Sequence, residues 1–489
     1  MSSYPSGYPQ ILMKQKTSFI LFFVVPLFFV ITVQSQPWSN GKVVISSNGH
    51  FLQHENGKPF FWLGDTGWLL FQKLDRIETR KYLKDRSEKE FNVIQCMVIQ
   101  ALPEVNRYRN IAFIQNGTLT PCVTMGHDTN DAAQYDYWDH VDWVIDEAAR
   151  NGLYIALVPI WGSVVKQNDI SVSAAESYAT FLAERFKKKP NIFWMVGGDI
   201  QGNIKQEFWE TIGRTLKKHD PNHLITYHPY GRTQSSTWFH NSPWLDVNMF
   251  QSGHRRYDQD ASPKKYGEDN WQYIRDDYTK IPVKPTLDGE PSYENIPQGL
   301  HDTTQPYWTA NDVRRYAYWS VFAGACGHTY GNNSVMQMYR PDDQKAAYGA
   351  RKYWYESLQD SGSVQMKYLK HLILSRPYFD RIFDDSLVIN NSGTRYNYIV
   401  AMRGTDYLMA YTYTGQEIDV KMGRITGTQV KAWWFNPRNG EAKIIGTFKN
   451  EGMIRFIPPM IQAFAHDWVL VLDDCENNFL QPGVPLNLE

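Results

Sequence analysis

The sequence predicts an α/β chain: a (β/α)8 TIM barrel followed by a small C-terminal antiparallel β-sandwich. Three observations predict it. Eight short β-like segments alternate with helical stretches between about Phe60 and Arg376. Repeated βα units of that number suit a closed parallel barrel. The rival, a doubly wound open sheet, lacks support, because no GxGxxG or P-loop pattern follows any strand. From about Tyr378 the helical period vanishes and short strands with turn signals take over.

In chain order, Asn48-Gly49 and Asn56-Gly57 mark hairpin turns between short alternating runs. PFFWLGDT is then the first buried strand. ETRKYLKDRSEKEF reads as a helix and leads into the strand NVIQCMVIQAL. WDHVDWVIDEAARNG leads into LYIALVPIWG, AAESYATFLAERFKKK into NIFWMVGGD, and QEFWETIGRTLKKHD into LITYHPYG. LDVNMFQSG is a sixth strand, NWQYIRDDYTKI a helix and KPTLDGE a seventh strand. DVRRYAYWSVFAG is a helix, GHTYG the eighth strand end, and ARKYWYESLQ the last helix. RIFDDSLVINN, NYIVAMRG, YLMAYTYTG, VKAWWFNPRNG, AKIIGTF and DWVLVLDD are the strands of the sandwich. The expected division is 1–35 as a signal peptide, 36–377 as the barrel with its N-terminal hairpin, and 378–489 as the sandwich.

The N-terminus reads as an address. Residues 19–33, FILFFVVPLFFVITV, are apolar, follow Lys14 and Lys16, and precede small residues with a cut after Ser35. The run is shorter than the ~20 residues that span a bilayer, and it contains Pro26. No cysteine follows it, so a lipoprotein anchor is not expected. The expectation is a secreted or periplasmic protein with no membrane attachment after cleavage.

A formal net charge of -1 and the lack of a long basic run argue against nucleic acid as a partner. The four cysteines form no CxxC pair and no zinc spacing, so neither an essential disulfide nor a structural metal is expected. DTNDAAQYD lacks the regular spacing of a calcium loop. Oligomeric state is not encoded legibly. The 17 Trp, 30 Tyr and 25 Phe allow two readings, a large core or aromatic platforms for sugar rings, and position must choose between them.

Active sites of such barrels lie at the C-terminal strand ends. Those ends carry Asp65 and Trp68, Gln100, Trp161, Asp199, His228, Gln251 with His254, Glu290, and His328 with Tyr330. Neither a GxSxG elbow nor HExxH is present. A polar mouth rimmed by aromatics and carrying a few carboxylates suits a sugar. Glycoside cleavage needs one carboxylic acid to protonate the leaving oxygen and a second carboxylate to attack or to activate water. Asp199, ending the fourth strand, and Glu290, ending the seventh, are the candidates. An Asp at a strand–helix junction also serves as an N-cap, so the structural alternative stays open for it. Asp65, Trp68, Gln100, Trp161, His228, Gln251, His254 and Tyr330 are the candidate substrate contacts. Asp288 is assigned to the helix layer and Glu294 to a loop or the rim.

PFFWLGDTGW, MVGGD, LDGEPSYE and HTYGNNSVMQMY together resemble the apiosidase-like enzymes of glycoside hydrolase family 140, of the Bacteroidetes type. The resemblance runs from about Lys42 to the C-terminus and includes a trailing β-domain like one labelled collagen-binding. It implies a retaining glycoside hydrolase acting by double displacement, with Asp199 as acid/base, Glu290 as nucleophile, and neither metal nor organic cofactor. The implied partner is a plant cell-wall polysaccharide. The implied reaction is endo-apiosidase cleavage at the apiosyl linkages of rhamnogalacturonan II in pectin. Gly198-Asp199 stands where better-known barrels carry Asn-Glu. Two other readings remain: a glycosidase of the same barrel type on another plant glycan, or a non-catalytic glycan- or collagen-binding surface protein.

Overall fold

The computed structural model describes residues 1–5, 7, 9, 36–390, 394–459 and 466–486. The apolar run and the expected cut after Ser35 lie outside the described residues. Among the described residues, no helix is long and apolar enough to cross a membrane.

Eight parallel strands form the barrel: β1 Trp62–Thr66, β2 Val93–Met97, β3 Tyr154–Val158, β4 Ile192–Ile200, β5 Ile225–Pro229, β6 Asn248–Phe250, β7 Thr286–Asp288 and β8 Gly327–Tyr330. Neighbours pair in sequence order, and β8 returns to β1 with Tyr330 opposite Asp65. The last seam, between β5 and β6, is joined by a parallel bridge from Thr226 to Val247, where Thr226 Oγ1 donates to the Val247 carbonyl at 2.8 Å. Each of the eight strands expected from the sequence pattern is a barrel strand.

Between and after the strands run α1 Arg76–Glu88, α2 Tyr137–Arg150, α3 Val172–Phe186, α4 Gln206–His219, α5 Ser236–Phe239, α6 Trp271–Tyr278, α7 Ala310–Phe322 and α8 Ser361–Leu374. The caps explain several starts. Asp75 accepts the Glu78 amide and Glu78 returns the bond, a capping box. Asp136 and Asp139 do the same for α2, so the acidic DTNDAAQYD loop ends as a helix cap. The final helix differs from the sequence reading. ARKYWYESLQ yields one turn at Trp354–Ser357, and the helix that covers β8 is α8.

Strand alternation sets the layers. Val93, Met97, Ala156, Val158, Phe193 and Met195 share one apolar cluster. Their neighbours Ile94, Cys96, Ile155, Leu157, Trp194 and Val196 share another, together with Val141, Tyr178, Leu182 and Ile212 of α2, α3 and α4. Strands buried on both faces read as continuous apolar runs, as these do.

The C-terminal domain holds β9 Ile382–Phe383, β10 Ile399–Arg403, β11 Tyr407–Thr412, β12 Ile418–Lys421, β13 Gln429–Phe435, β14 Ala442–Lys449, β15 Met453–Phe456 and β16 Trp468–Asp474. Six form an antiparallel sheet in the order β9-β10-β11-β16-β13-β14, and β12 pairs with β15. The sequence pattern did not single out β12 or β15. Val400, Met402, Met409, Tyr411 and Val471 cluster with Tyr318 and Phe322 of α7. Their neighbours Ile399, Ala401, Leu408, Ala410 and Leu470 pack with Ile418 and Val420 of β12. Buried ion pairs join the sheet to the barrel: Arg314 grips Asp467 at 2.6 and 2.8 Å, and Arg376 grips Asp473 through two 2.7 Å bonds.

Candidate active site

A cavity of about 650 Å³ opens at the C-terminal strand ends, and both Asp199 and Glu290 line it. Local backbone explains how each gets there. At the end of β4 the pairing with β5 slips between Gly197 and Ile200. Gly197 and Gly198 take φ of 90° and 115°, and Asp199 follows with φ 50°. Asp is among the few side chains that accept a left-handed backbone. A Cβ at Gly198 would lie 2.4 Å from the Trp161 ring. The turn thus needs glycine there and swings Asp199 into the opening. Asp199 is not the cap of α4, whose N-cap is Lys205.

Glu290 depends on a break in β7. Residues two apart on an unbroken strand share a face. Here the strand ends at Asp288, and Gly289 packs so closely on Met249 that a Cβ would come within 2.4 Å of its sulfur. Asp288 turns to the helix layer, accepting Ser252 Oγ at 2.7 Å and Asn270 Nδ2 at 2.9 Å. Glu290 turns to the cavity.

Two histidines hold Glu290. His254 Nε2 is 3.0 Å from Oε1, and His228 Nε2 is 3.1 Å from Oε2, short but out of hydrogen-bond alignment. Each ring uses Nδ1 as an acceptor: His228 from the Asp199 amide at 3.3 Å, His254 from the Tyr293 amide at 3.4 Å. That fixes the tautomer with Nε2–H toward the carboxylate. Burial alone would push Glu290 up, but its interactions with His228 and His254 outweigh it and hold the group well below the usual carboxylate range.

Asp199 goes the other way. Burial, and then the negative charge of Glu290, push it up to about 7. Contacts from His228, the Gly231 amide and Gln251 oppose the rise without cancelling it. Its side chain is crowded by protein yet open to the cavity. Cavity water therefore screens part of the burial effect, and a substrate that displaces the water restores it. One carboxyl is held well below its usual range and its neighbour is raised above it, the kind of separation that acid and nucleophile need in glycoside cleavage.

The other expected contacts divide. Trp68, Gln100, Trp161, Gln251 and His254 line the cavity. Trp68 and Trp161 also pack on His228, with centroids 5.3 and 5.6 Å from its ring. His228 is fully buried behind them and reaches Glu290 rather than the opening. Asp65 is not brought to the cavity. It faces α1, accepts Tyr82 Oη at 2.6 Å and pairs with Arg86 at 3.2 Å. Tyr330 is also buried away from the cavity, donating to Glu294 at 2.6 Å. Glu294 lies on the loop after β7, as one expectation had it, but not on the rim. It is buried, also accepts the Gly362 amide at 3.0 Å, and burial pushes it up to about 6. His328 is enclosed beside Ser320.

The strand-end reading missed Tyr293. Its hydroxyl accepts Trp68 Nε1 at 3.0 Å, its ring lies tilted against His254 with centroids 4.5 Å apart, and its amide fixes the tautomer of that ring. It stands three residues after Glu290, inside LDGEPSYE, so the motif contained it. Among the described residues, no group of three or more His, Cys, Asp or Glu side chains is placed to hold a metal ion, and all four cysteines are unbridged.

Comparison with known proteins gives the family and the fold. The family model "Apiosidase-like, catalytic domain" matches residues 46–380, and "Putative collagen-binding domain of a collagenase" matches residues 382–473. No curated protein matches. A solved structure titled simply a glycoside hydrolase is 45% identical, covering 91% of this chain and 100% of its own, with a TM-score of 0.85. A glycoside hydrolase family 5 structure from Bacteroides vulgatus ATCC 8482 is 42% identical, covering 92% of this chain and 98% of its own, with a TM-score of 0.86. With a barrel, a strand-end cavity and two carboxyls of opposed acidity, this chain is a glycoside hydrolase and belongs to the apiosidase-like family.

Proposed function

We propose that the enzyme is a retaining glycosidase in which Glu290 is the nucleophile and Asp199 the acid/base, and that it is an endo-apiosidase acting on the apiosyl linkages of rhamnogalacturonan II. The observation that carries the residue roles is the opposed acidity of the two groups in one cavity, linked through His228. Glu290 attacks the anomeric carbon while the glycosidic C–O bond breaks and Asp199 gives its proton to the leaving oxygen. Asp199, now ionised, takes a proton from water. The water oxygen bonds to the anomeric carbon, and the ester to Glu290 breaks. Glu290 is near enough for its charge to act on Asp199, and the proposed retaining mechanism needs the two carboxyls about 5–5.5 Å apart.

The substrate assignment rests on the family match, and the tryptophan walls Trp68 and Trp161 suit a sugar face. The N-terminal run supports export from the cytoplasm, and N-terminal sequencing of the mature protein is expected to begin at Gln36. Product analysis on rhamnogalacturonan II fragments with wild type, Asp199→Ala and Glu290→Ala tests the function. Turnover by wild type alone, with the fresh product in the substrate's anomeric configuration, is the expected result. An inverted product sinks the double displacement, and cleavage confined to other glycans sinks the substrate.

A further inference from the structure

The long segment between β8 and α8 brings a residue to the cavity that no strand end supplies. Tyr348 lines the same opening as Asp199 and Glu290. Its backbone is left-handed, with φ 49° and ψ 32°. That region is a genuine outlier for a bulky side chain. Asp199, Arg232 and Leu300, which line this cavity too, also have positive φ. Backbone strain gathers where a site needs a side chain aimed against local preference, and it persists only where surroundings over-determine it.

The surroundings of Tyr348 do so. Asn333 Nδ2 donates to the Tyr348 carbonyl at 2.8 Å. Gln337 clamps the preceding residue from both sides, accepting the Ala347 amide at 2.8 Å and donating to its carbonyl at 3.0 Å. Next, Tyr307 Oη donates to the Gly349 carbonyl at 3.3 Å, and a Cβ on Gly349 would stand 2.5 Å from Thr303. Asn333 and Gln337 are buried members of the HTYGNNSVMQMY motif and have no other place in the proposed chemistry. The motif holds one turn in a costly shape, and the turn presents one side chain.

That side chain meets the ring of His301 at 5.5 Å, and its hydroxyl bonds to none of the described residues. The carboxyls are near enough for their charge to matter: after burial, Asp199 and Glu290 push the phenol up. A polar hydrogen left unpaired when substrate expels water costs its full desolvation penalty. Paired with a sugar oxygen it does not. Ionised Glu290 only accepts, so a sugar in this cavity needs donors from elsewhere.

We infer that Tyr348 contacts substrate, its phenol O–H donating to an oxygen of the sugar held between Asp199 and Glu290, and that Asn333 and Gln337 position it there. This rests on the proposed roles of that pair. The test is kcat and KM for wild type, Tyr348→Phe and Tyr348→Gly on a panel of plant glycans that includes rhamnogalacturonan II, with Tm for each. Phenylalanine keeps the ring and the strain and removes only the donor; kcat/KM is expected to fall 10- to 100-fold at unchanged Tm. Glycine fits the turn without strain, so Tm is expected to hold or rise while kcat/KM falls at least as far. Wild-type kcat/KM in Tyr348→Phe, or losses that track a falling Tm, overturns the inference. Cleavage of another glycan but not rhamnogalacturonan II removes the proposed substrate while still testing Tyr348 on the glycan cleaved. Cleavage of none by wild type removes the proposed chemistry and this inference with it.

Discussion

The backbone amide of Asp199 donates to Nδ1 of His228 at 3.3 Å, and Nε2 of the same ring stands 3.1 Å from Glu290. One imidazole thus touches both residues of the proposed pair. It steadies the left-handed turn that carries Asp199, and it sets its Nε2 against the Glu290 carboxylate. Replacing His228 with Ala removes both effects. The expected loss in kcat is about 10²-fold, the scale of a small misplacement of reacting groups. A purely structural His would lower Tm alone. Here the acidic limb of the pH–rate profile is expected to move to higher pH, because His228 helps hold Glu290 below the usual carboxylate range.

The pH dependence of the wild type follows from the same pair. In its proposed role as acid Asp199 must be protonated, and burial and Glu290 push it up to about 7, so activity is expected to fall as pH rises through about 7. Glu290 is the second cause of that raised value. In Glu290→Gln the charge is gone, and the Asp199 carboxyl is expected to titrate below 7, measured by carbon-13 NMR of the labelled carboxyl. An unchanged titration would mean that burial alone sets it.

Stability falls with rising pH as well. A folded-state Asp raised above its ordinary 3.8 binds more protons than the unfolded chain between about 4 and 7. Its contribution to stability therefore declines as pH rises through that window. Asp199→Asn removes the cost and still fits the left-handed turn. Above pH 7 this variant is expected to be inactive yet more stable, by about 1 kcal/mol once cavity water is allowed to screen the charge. Urea unfolding at pH 5 and pH 8 measures the difference, which is expected to shrink at the lower pH.

How much of this was legible follows from strand alternation. The eight strands stand out because burial on both faces makes continuous apolar runs, and the strand-end rule then picks out Asp199 and Glu290. The same rule fails one residue away. On β1, Thr66 Oγ1 donates to the Tyr330 carbonyl across the seam, while Asp65 beside it turns out to Arg86. Tyr330, opposite Asp65 in the register, turns away with it. A list of strand-end residues cannot tell the two faces apart without the register. Tyr348 was invisible for a different reason: it lies on a long loop, held at the cavity by distant partners such as Asn333, Gln337 and Tyr307. The last barrel helix was misplaced: ARKYWYESLQ has the composition of a helix, whereas only Trp354–Ser357 forms a turn.

Gly198 makes the departure from Asn-Glu testable. At φ 115°, with Trp161 where a Cβ would go, alanine is excluded by backbone and by contact together. Gly198→Ala is expected to cost about 2 kcal/mol or more. Activity is expected to fall further than stability explains, because the displaced Trp161 packs on His228 and the shifted turn carries Asp199. Trp161→Ala in the same background makes room for the methyl. It is expected to recover stability without recovering turnover, since the backbone angle stays wrong for alanine. Full recovery of both would show that the contact with Trp161, not the turn, is what glycine serves.

The join between barrel and sheet rests on Asp467. Its carboxylate takes two bonds from Arg314 on α7, one from Arg438 at 2.8 Å and one from Tyr411 at 3.1 Å, all in a buried place. Removing one partner of a buried pair strands the other, at about 3–5 kcal/mol. Asp467→Ala is therefore expected to cost that much in urea unfolding. The pair Arg455–Asp419 on β15 and β12 offers the control: its bonds are as short, at 2.6 and 2.8 Å, but Arg455 is more than half exposed. Arg455→Ala is expected to cost less than about 1 kcal/mol. If Asp467→Ala splits unfolding into two transitions, Asp467 couples the two parts. If it lowers a single transition, the apolar face of β10, β11 and β16 against α7 keeps them coupled without it. The size of that face, with Met409, Tyr411, Val471, Tyr318 and Phe322 all buried, favours the single transition.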